Sequence, residues 1–126
     1  MAGTTHYLKL SNPQAEMIRS GKKALDARPI AGIYAPIRVG DHIHYDEGTE
    51  VTVSKINTYG SMKELLEHEG WESIVPDAAN PEEAYRRIVA DLAPGEERLP
   101  AKAIYFTSME GHWFKYWFRK TGKEQV

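Results

Sequence analysis

Alternating hydrophobic and polar side chains predict that this chain is built mainly from short β-strands. Six segments have an extended character: residues 7–10, 23–28, 41–45, 51–54, 101–107 and 113–120. Residues 101–107 are apolar at nearly every position, which is typical of a strand that is covered on both faces. The alternation slips directly after the fourth segment, which predicts a β-bulge or a corner of the sheet at that point.

Helical segments lie between these strands. The spacing of apolar residues predicts helices within residues 11–21, 61–70 and 80–94, each introduced by a side chain that can cap its first turn. Residues 29–40 contain two prolines and two glycines, which favours a loop. Because the strands dominate and the helices are inserted between them, we expect an α+β fold that is mainly β, a small β-barrel with peripheral helices.

Length and composition exclude several classes of protein. The chain has 126 residues, so we expect a single domain over residues 1–126. It has no cysteine, which excludes disulfide scaffolds, zinc ribbons and thiol nucleophiles. No apolar run approaches the length of about 18 residues that a membrane-spanning helix needs, and the first residues lack the pattern of a secretion signal. We therefore expect a cytoplasmic protein with no membrane partner.

Charge is distributed unevenly along the chain. The formal net charge is −2, yet residues 41–97 carry −10, while residues 1–30 carry +3 and residues 98–126 carry +4. If the two ends of the chain meet, they form a basic face on an acidic body, and such a face can hold a polyanion. The alternative is that the acidic residues simply lie on solvated helix faces.

The densest cluster of polar side chains follows the first predicted helix, and it contains Gly21, Lys22, Lys23, Asp26 and Arg28. A lysine and an arginine held together bind a phosphate or a carboxylate, because the guanidinium supplies a planar fork and the ammonium a movable charge. A regular strand places Asp26 and Arg28 on one face and Lys23 on the other, so a shared site needs a bulge or needs Lys23 in the preceding loop. The alternative is a weak surface ion pair between Asp26 and Arg28.

This cluster resembles the signature of the ASCH family, because Gly21, Lys23, Asp26 and Arg28 match the pattern G-x-K-x-x-[acid]-x-R. The resemblance covers residues 7–108, and later segments agree with the family in the correct order: 38–43, 59–66, 83–85 and 103–106. It implies a PUA-like fold and a cleft beside the motif that holds RNA or a nucleoside. Residues 109–126 remain as an aromatic and basic extension.

The resemblance also implies an enzymatic alternative. Some members of the family remove the acetyl group from N(4)-acetylcytidine, and some are ribonucleases. Lys23 matches the base of the amidohydrolases, Asp26 stands where their nucleophilic hydroxyl would be, and Asp77 lies near their assisting acid. A carboxylate at Asp26 is expected to keep Lys23 charged, and a charged lysine binds anions well but removes protons badly. The residues therefore favour binding over this hydrolysis.

From these features we expect an RNA- or nucleoside-binding ASCH domain with a basic cleft around residues 21–28. The order of the family's segments places Tyr59 and Tyr105 near the cleft as stacking residues. The full set of expected ligand-binding residues is Gly21, Lys22, Lys23, Asp26, Arg28, Tyr59, Tyr105, Trp113 and Trp117.

Two further patterns leave alternatives open. Trp113 and Trp117 alternate with basic residues, an arrangement that suits stacked bases beside phosphates. The alternatives are a terminal strand that packs its aromatic side chains against the barrel and a homodimer contact. His42 and His44 share one face of a strand, but no third ligand follows at a fixed spacing. We therefore expect no metal and no other cofactor.

Overall fold

The computed structural model describes residues 3–10, 12–45 and 48–108, and five strands of this part of the chain form one sheet. They are β1 (Thr5–Leu8), β2 (Leu25–Pro29), β3 (His42–Tyr45), β4 (Glu50–Tyr59) and β5 (Ala101–Ser108). The strand order is β1-β3-β4-β5-β2, with β1 parallel to β3 and the other pairs antiparallel. The predicted α+β class is confirmed, and β5 lies inside the sheet, as its apolar sequence predicts.

The helices of the described part are α1 (Asn12–Arg19), α2 (Met62–Glu69), α3 (Trp71–Ile74) and α4 (Pro81–Ala90). At the start of α2, Ser61 Oγ accepts the backbone N–H of Glu64 at 3.1 Å, and the Glu64 carboxylate accepts the N–H of Gly60 at 2.8 Å. This is a variant of the capping box, because Glu64 accepts from the residue before the N-cap and not from the N–H of Ser61 itself. Asn80 caps α4 through the N–H of Glu83 at 2.8 Å. Helix α3 was not predicted, because four residues are too few to show helical spacing.

Each face of the sheet has its own apolar cluster. The face packed against α2, α3 and α4, called the helix face below, buries Leu25, Ala27, Met62, Leu65 and Ala103 among others. The opposite face, called the inner face, packs against α1 and the loop after β2, and it buries Ile18, Ile37, Ile43, Val53 and Ile104 among others. Because successive residues of a strand point to opposite faces, Asp26 and Arg28 of β2 belong to the inner face.

A bulge in β4 keeps both faces apolar. The register of β4 on β5 shifts between Val53 and Lys55, where the sequence predicts a bulge or a corner. Val53 before the bulge and Ile56 after it both pack on the inner face, and Tyr59 packs on the helix face. Without the extra residue, every side chain beyond the bulge would point to the wrong face.

The predicted β-barrel is not confirmed, because β1 and β2 are the two edges of the described sheet and do not pair with each other. Side chains span the space instead. Tyr45 of β3 donates its hydroxyl hydrogen to Asp26 Oδ2 of β2 at 3.0 Å, although β4 and β5 separate these strands in the sheet. Arg28 Nη2 donates to the carbonyl of Lys9, just beyond β1, at 3.2 Å. The sheet therefore curls, but side-chain contacts take the place of the closing backbone ladder.

A buried lysine holds the loop between β2 and β3. Lys102 of β5 is 4% exposed, and its ammonium donates at 2.9, 3.2 and 3.1 Å to the carbonyls of Tyr34, Ala35 and Ile37. Burial lowers the pKa of Lys102, although Asp41 acts in the opposite direction. The three carbonyls satisfy its three donors, and the contact positions Tyr34 beside the inner face.

The helices of the described residues are all too short or too polar to cross a membrane. Residues 109–126, which include Trp113 and Trp117, lie outside the described part of the chain. The predicted roles of both tryptophans, in stacking or in a homodimer, therefore stay predictions.

Candidate functional site

A cleft of about 820 Å³ opens along the free edge of β2. It lies between β1 on one side and α3 and α4 on the other. Its lining includes Tyr7, Lys9, Lys23, Asp26, Arg28, Tyr34, Arg87 and Asp91. The volume lies within the range of about 300–1,000 Å³ that is typical of small-molecule sites.

The end of α1 places Lys23 in this cleft. Gly21 has a φ of 84°, which lets the chain leave the helix in a tight turn, and the N–H of Lys23 returns to the Met17 carbonyl at 3.0 Å. Strand β2 begins only at Leu25, so Lys23 lies in the loop before it, as a shared site with Asp26 requires. The Lys23 side chain is 4% exposed, and its Nζ donates to the Ile74 carbonyl at 2.5 Å.

Asp26 is a buried carboxylate that also lines the cleft, with 5% exposure. Its Oδ2 accepts hydrogen bonds from Arg28 at 2.9 Å and from the Tyr45 hydroxyl at 3.0 Å, whereas none of the described residues donates to Oδ1. Burial alone would raise the pKa of Asp26. The charges of Arg28 and Lys23, together with the two hydrogen bonds, outweigh burial and hold this pKa below its usual value. Asp26 is therefore ionised at neutral pH.

The Arg28 guanidinium contacts Asp26, Tyr34 and the backbone of Lys9. Its Nη1 lies 3.4 Å from the Tyr34 hydroxyl, its guanidinium carbon lies 5.1 Å from the centre of the Tyr34 ring, and Nη2 donates to the Lys9 carbonyl. Burial would lower the pKa of Arg28, but the charge of Asp26, the hydrogen bond to it and the neighbouring Tyr45 and Tyr34 together outweigh burial and raise this pKa. The sequence predicts Arg28 as a fork for a ligand phosphate. The structure directs this fork toward protein acceptors, so its contacts position Asp26 and Tyr34.

The pKa of Lys23 is lowered, whereas the sequence predicts that the Asp26 charge keeps Lys23 protonated. Burial is the largest influence and lowers the pKa of Lys23; Asp26 raises it, as expected, and Arg28 lowers it. The net direction is downward, because removing the ammonium from water outweighs the Asp26 charge. A lysine with a lowered pKa donates when it is protonated and acts as a base when it is not.

The lining of the cleft carries an excess of positive charge. Four cationic side chains face two carboxylates there: Lys9, Lys23, Arg28 and Arg87 against Asp26 and Asp91. The chain as a whole carries −2, so the cleft is a locally basic feature of an acidic protein. Local charge of this kind attracts anionic ligands and raises their rate of association.

Carboxylates neutralise the two cations at the rim to different degrees. Arg87 of α4 donates to both carboxylate oxygens of Asp77 at 3.0 and 3.1 Å, and Glu83 lies 3.7 Å away. Lys9 is exposed and pairs with no carboxylate of the described residues. The rim next to β1 is therefore the side with uncompensated positive charge.

Three predicted site residues lie beside the cleft instead of lining it. Gly21 shapes the turn that delivers Lys23, and Lys22 is exposed to solvent. Asp77 is about half exposed and reaches the cleft only through its partner Arg87.

Tyr59 and Tyr105 are not brought to the cleft. Both hydroxyls donate to the carboxylate of Glu69 in α2, and the Asn57 amide donates to it at 2.9 Å. Tyr105 is paired with Leu25 in the sheet, so it lies on the helix face, whereas Asp26 lies on the inner face. Order along the chain placed these tyrosines near the motif, but strand alternation turns them to the opposite side.

Sequence reasoning missed Tyr7, Lys9, Tyr34 and Arg87. Tyr7 is 72% exposed, and an aromatic side chain next to the end of a strand is a weak signal by itself. The parallel pairing of β1 with β3 brings Tyr7 and Lys9 to one side of the cleft, and the Lys102 contacts bring Tyr34 to it. Neither arrangement leaves a periodic pattern in the sequence.

No group of three or more His, Cys, Asp or Glu side chains that could hold a metal occurs in the part of the chain that the structure describes. His42 lies 3.2 Å from the Thr52 hydroxyl, and His44 lies 3.7 Å from the Glu50 carboxylate. These two histidines therefore interact with neighbouring strand residues on the sheet.

No protein-family model and no curated protein matches the sequence. Solved structures do match. The hypothetical protein PH0355 is 28% identical, with a TM-score of 0.78 over 84% of this chain and 100% of its own. Protein PF0455 from Pyrococcus furiosus is 27% identical, with a TM-score of 0.73 over 85% of this chain and 99% of its own.

A third structural match carries the family name. A point mutant of ZmASCH from Zymomonas mobilis is 16% identical, with a TM-score of 0.55 over 90% of this chain and 78% of its own. The wild-type ASCH protein from the same organism matches with a TM-score of 0.51. This chain therefore has the ASCH-like fold that the motif around Lys23 predicts.

Proposed function

We propose that the cleft binds a nucleoside unit, either within single-stranded RNA or as a free modified nucleoside. The observation that carries this proposal is the convergence of Lys23, Asp26 and Arg28 on one cleft. A buried ammonium beside a buried carboxylate offers a donor and an acceptor, and the polar edge of a base needs both.

The walls of the cleft add the other two features that a nucleoside requires. Tyr7 and Tyr34 supply aromatic surface on which a base can stack, and such stacking contributes about 1–3 kcal/mol per base. The excess of cations supplies attraction for the phosphate backbone. The ASCH-like fold supports the same proposal, since the resemblance to that family implies a cleft for RNA or a nucleoside.

Fluorescence anisotropy with labelled single-stranded RNA tests the proposal. We expect binding that weakens with salt, with a slope of log K against log salt concentration of roughly −0.7 for each phosphate contact. Lys23→Met removes the charge and keeps most of the volume, and Asp26→Asn keeps the shape. Each is expected to weaken binding by about tenfold or more, because each leaves a polar group of the ligand without its partner.

Lys63→Ala is the matched control. Lys63 is exposed on α2, which covers the helix face. Its replacement removes one positive charge, as Lys23→Met does, but leaves the cleft intact. Circular dichroism melting curves identify any variant that fails to fold. Binding that is insensitive to salt, or equal in the folded Lys23→Met and Asp26→Asn variants and the wild type, contradicts the proposal.

A hydrolase of the same family is the second candidate, and the burial of Lys23 favours it. Because burial lowers the pKa of Lys23, part of its population can accept a proton nearer to neutral pH than an exposed lysine would. Hydrolysis of N(4)-acetylcytidine adds water across the amide and releases acetate and cytidine. Asp26 is the acidic partner within the cleft, since Asp26 lines the cleft and Asp77 does not.

Incubation of the protein with N(4)-acetylcytidine, and separately with RNA, tests this second candidate. We expect product whose rate rises with pH as Lys23 loses its proton, and no product with Lys23→Met. If the substrate stays intact between about pH 6 and pH 9, the hydrolase candidate is excluded and binding remains as the proposed function.

A further inference from the structure

Two buried polar groups of the cleft have unused hydrogen-bonding capacity. Asp26 Oδ2 is occupied by Arg28 and Tyr45, but no described residue donates to Oδ1. The Lys23 ammonium carries three donors, and Ile74 accepts from one of them. Buried polar groups that the protein leaves unpaired are costly, so a ligand that pairs with them gains affinity.

These two groups select the kind of ligand atom that reaches the deep part of the cleft. A phosphate there would meet the Asp26 carboxylate, and the Arg28 fork that could offset this repulsion is already directed toward Asp26, Tyr34 and Lys9. A neutral group with an N–H donor next to an acceptor satisfies Asp26 and Lys23 together. The polar edge of a nucleobase has this pattern.

The rim of the cleft offers a separate position for an anion. On the α4 side, Arg87 is paired with Asp77 and lies close to Glu83, and Asp91 also lines that side. On the β1 side, Lys9 is exposed and pairs with no described carboxylate. An anionic group therefore finds uncompensated positive charge only on the β1 side of the described rim.

We propose that the cleft holds a nucleotide in one orientation, with the base edge on Lys23 and Asp26 and the phosphate on Lys9. This inference rests on the proposed function, because it assumes that a nucleoside unit occupies the cleft. It assigns Lys9 as a residue that distinguishes nucleotides from nucleosides. Tyr7, two positions earlier in β1, also lines the cleft and offers stacking surface to such a ligand.

Calorimetric titration with the four nucleosides and with their 5′- and 3′-monophosphates tests this orientation. We expect at least one monophosphate to bind about three- to tenfold more tightly than its nucleoside at low salt, as one exposed charge-assisted contact provides. Lys9→Ala is expected to abolish this difference, measured as the ratio of the monophosphate affinity to the nucleoside affinity in the same variant. Because Lys9 is exposed and its backbone carbonyl is retained, the Arg28 contact and the fold survive the substitution.

The outcomes separate the inference from the function on which it rests. Lys63→Ala makes the same charge change away from the cleft and should keep the preference for the monophosphate. If a nucleoside binds and its monophosphates bind no better, or if Lys9→Ala keeps their advantage, the orientation is wrong while the proposed function stands. If no nucleoside, nucleotide or RNA binds, both are wrong.

Discussion

Asp26 and Glu69 are two carboxylates on opposite faces of one sheet, and their surroundings differ. Glu69 accepts hydrogen bonds from Tyr59, Tyr105 and Asn57, so both of its oxygens are occupied by neutral donors of the protein. From the residues that the structure describes, Asp26 accepts hydrogen bonds only on Oδ2, and it lies beside the buried cation Lys23.

A polar cluster that only holds the fold together differs from a candidate binding site in how far its hydrogen bonds are satisfied. The Glu69 cluster joins α2 to the sheet, and each oxygen of its carboxylate accepts at least one hydrogen bond, so it needs no ligand. The Asp26 cluster is buried, charged and only partly satisfied, and it faces a cleft. Clusters of the second kind are expensive to maintain, and they are found at functional sites more often than at purely structural ones.

The largest expected effect comes from removing the Asp26 carboxylate. Asp26→Ala leaves Lys23 and Arg28 buried without their counter-charge, so we expect the free energy of unfolding to fall by about 3–5 kcal/mol. Urea-induced unfolding measures this. A loss below about 1 kcal/mol would mean that Asp26 is no more important for stability than an ordinary surface carboxylate.

The next effect concerns Lys102, which holds the loop that carries Tyr34. Lys102→Met removes three hydrogen bonds to loop carbonyls, and we expect the protein to lose about 2 kcal/mol of stability and to bind the ligand more weakly. Lys55→Met, at an exposed position over the Tyr105 ring, is the control and should leave ligand affinity unchanged. An unaltered ligand affinity in a folded Lys102→Met variant would show that the loop does not contribute to binding.

Lowering the pH is expected to reduce the stability that Asp26 contributes. The pKa of Asp26 is lower in the folded protein than in the unfolded chain, where it is about 4. The stability that Asp26 contributes is therefore complete above that value and is lost as the pH falls through the folded pKa, by at most about 1.4 kcal/mol per pH unit for one proton.

Unfolding free energies measured from about pH 5 downward for the wild type and Asp26→Asn test this sign. Asp41 also has a lowered pKa, because hydrogen bonds from His6 and from backbone N–H groups outweigh its burial. Both proteins keep Asp41, so the difference between their curves isolates Asp26. Parallel curves would show that Asp26 does not titrate differently in the folded state.

The smallest effect is expected on the helix face. Tyr105→Phe removes one donor from Glu69 and should cost about 1 kcal/mol of stability, with no change in the affinity for RNA or nucleotides. Chemical unfolding and the anisotropy titration measure the two quantities. A clear loss of affinity would mean that the two faces of the sheet are coupled.

Local features of this protein could be predicted from the sequence because their causes are local. The capping box at Ser61, the cap at Asn80 and the alternation of β3 each depend on residues within a few positions of one another. The bulge after Val53 could also be predicted, since a slip in alternation directly changes which face a side chain occupies. The position of the cleft could be predicted from the motif around Lys23 for the same reason. Gly21 ends α1 before β2 begins, so Lys23 lies in the loop between them.

The closure of the sheet and the pKa of Lys23 could not be predicted from the sequence, because both depend on contacts between residues that are distant along the chain. Whether the sheet closes depends on how Arg28 and Tyr45 fill the space between its edges, and strand periodicity carries no information about that space. Whether Lys23 keeps its ordinary pKa depends on burial beneath Ile74, which comes from a helix too short to predict. Sequence patterns therefore predicted which residues could come into contact. Packing determined which of them face water, which face each other, and which are left for a ligand, since exposure and distance are properties of the folded chain.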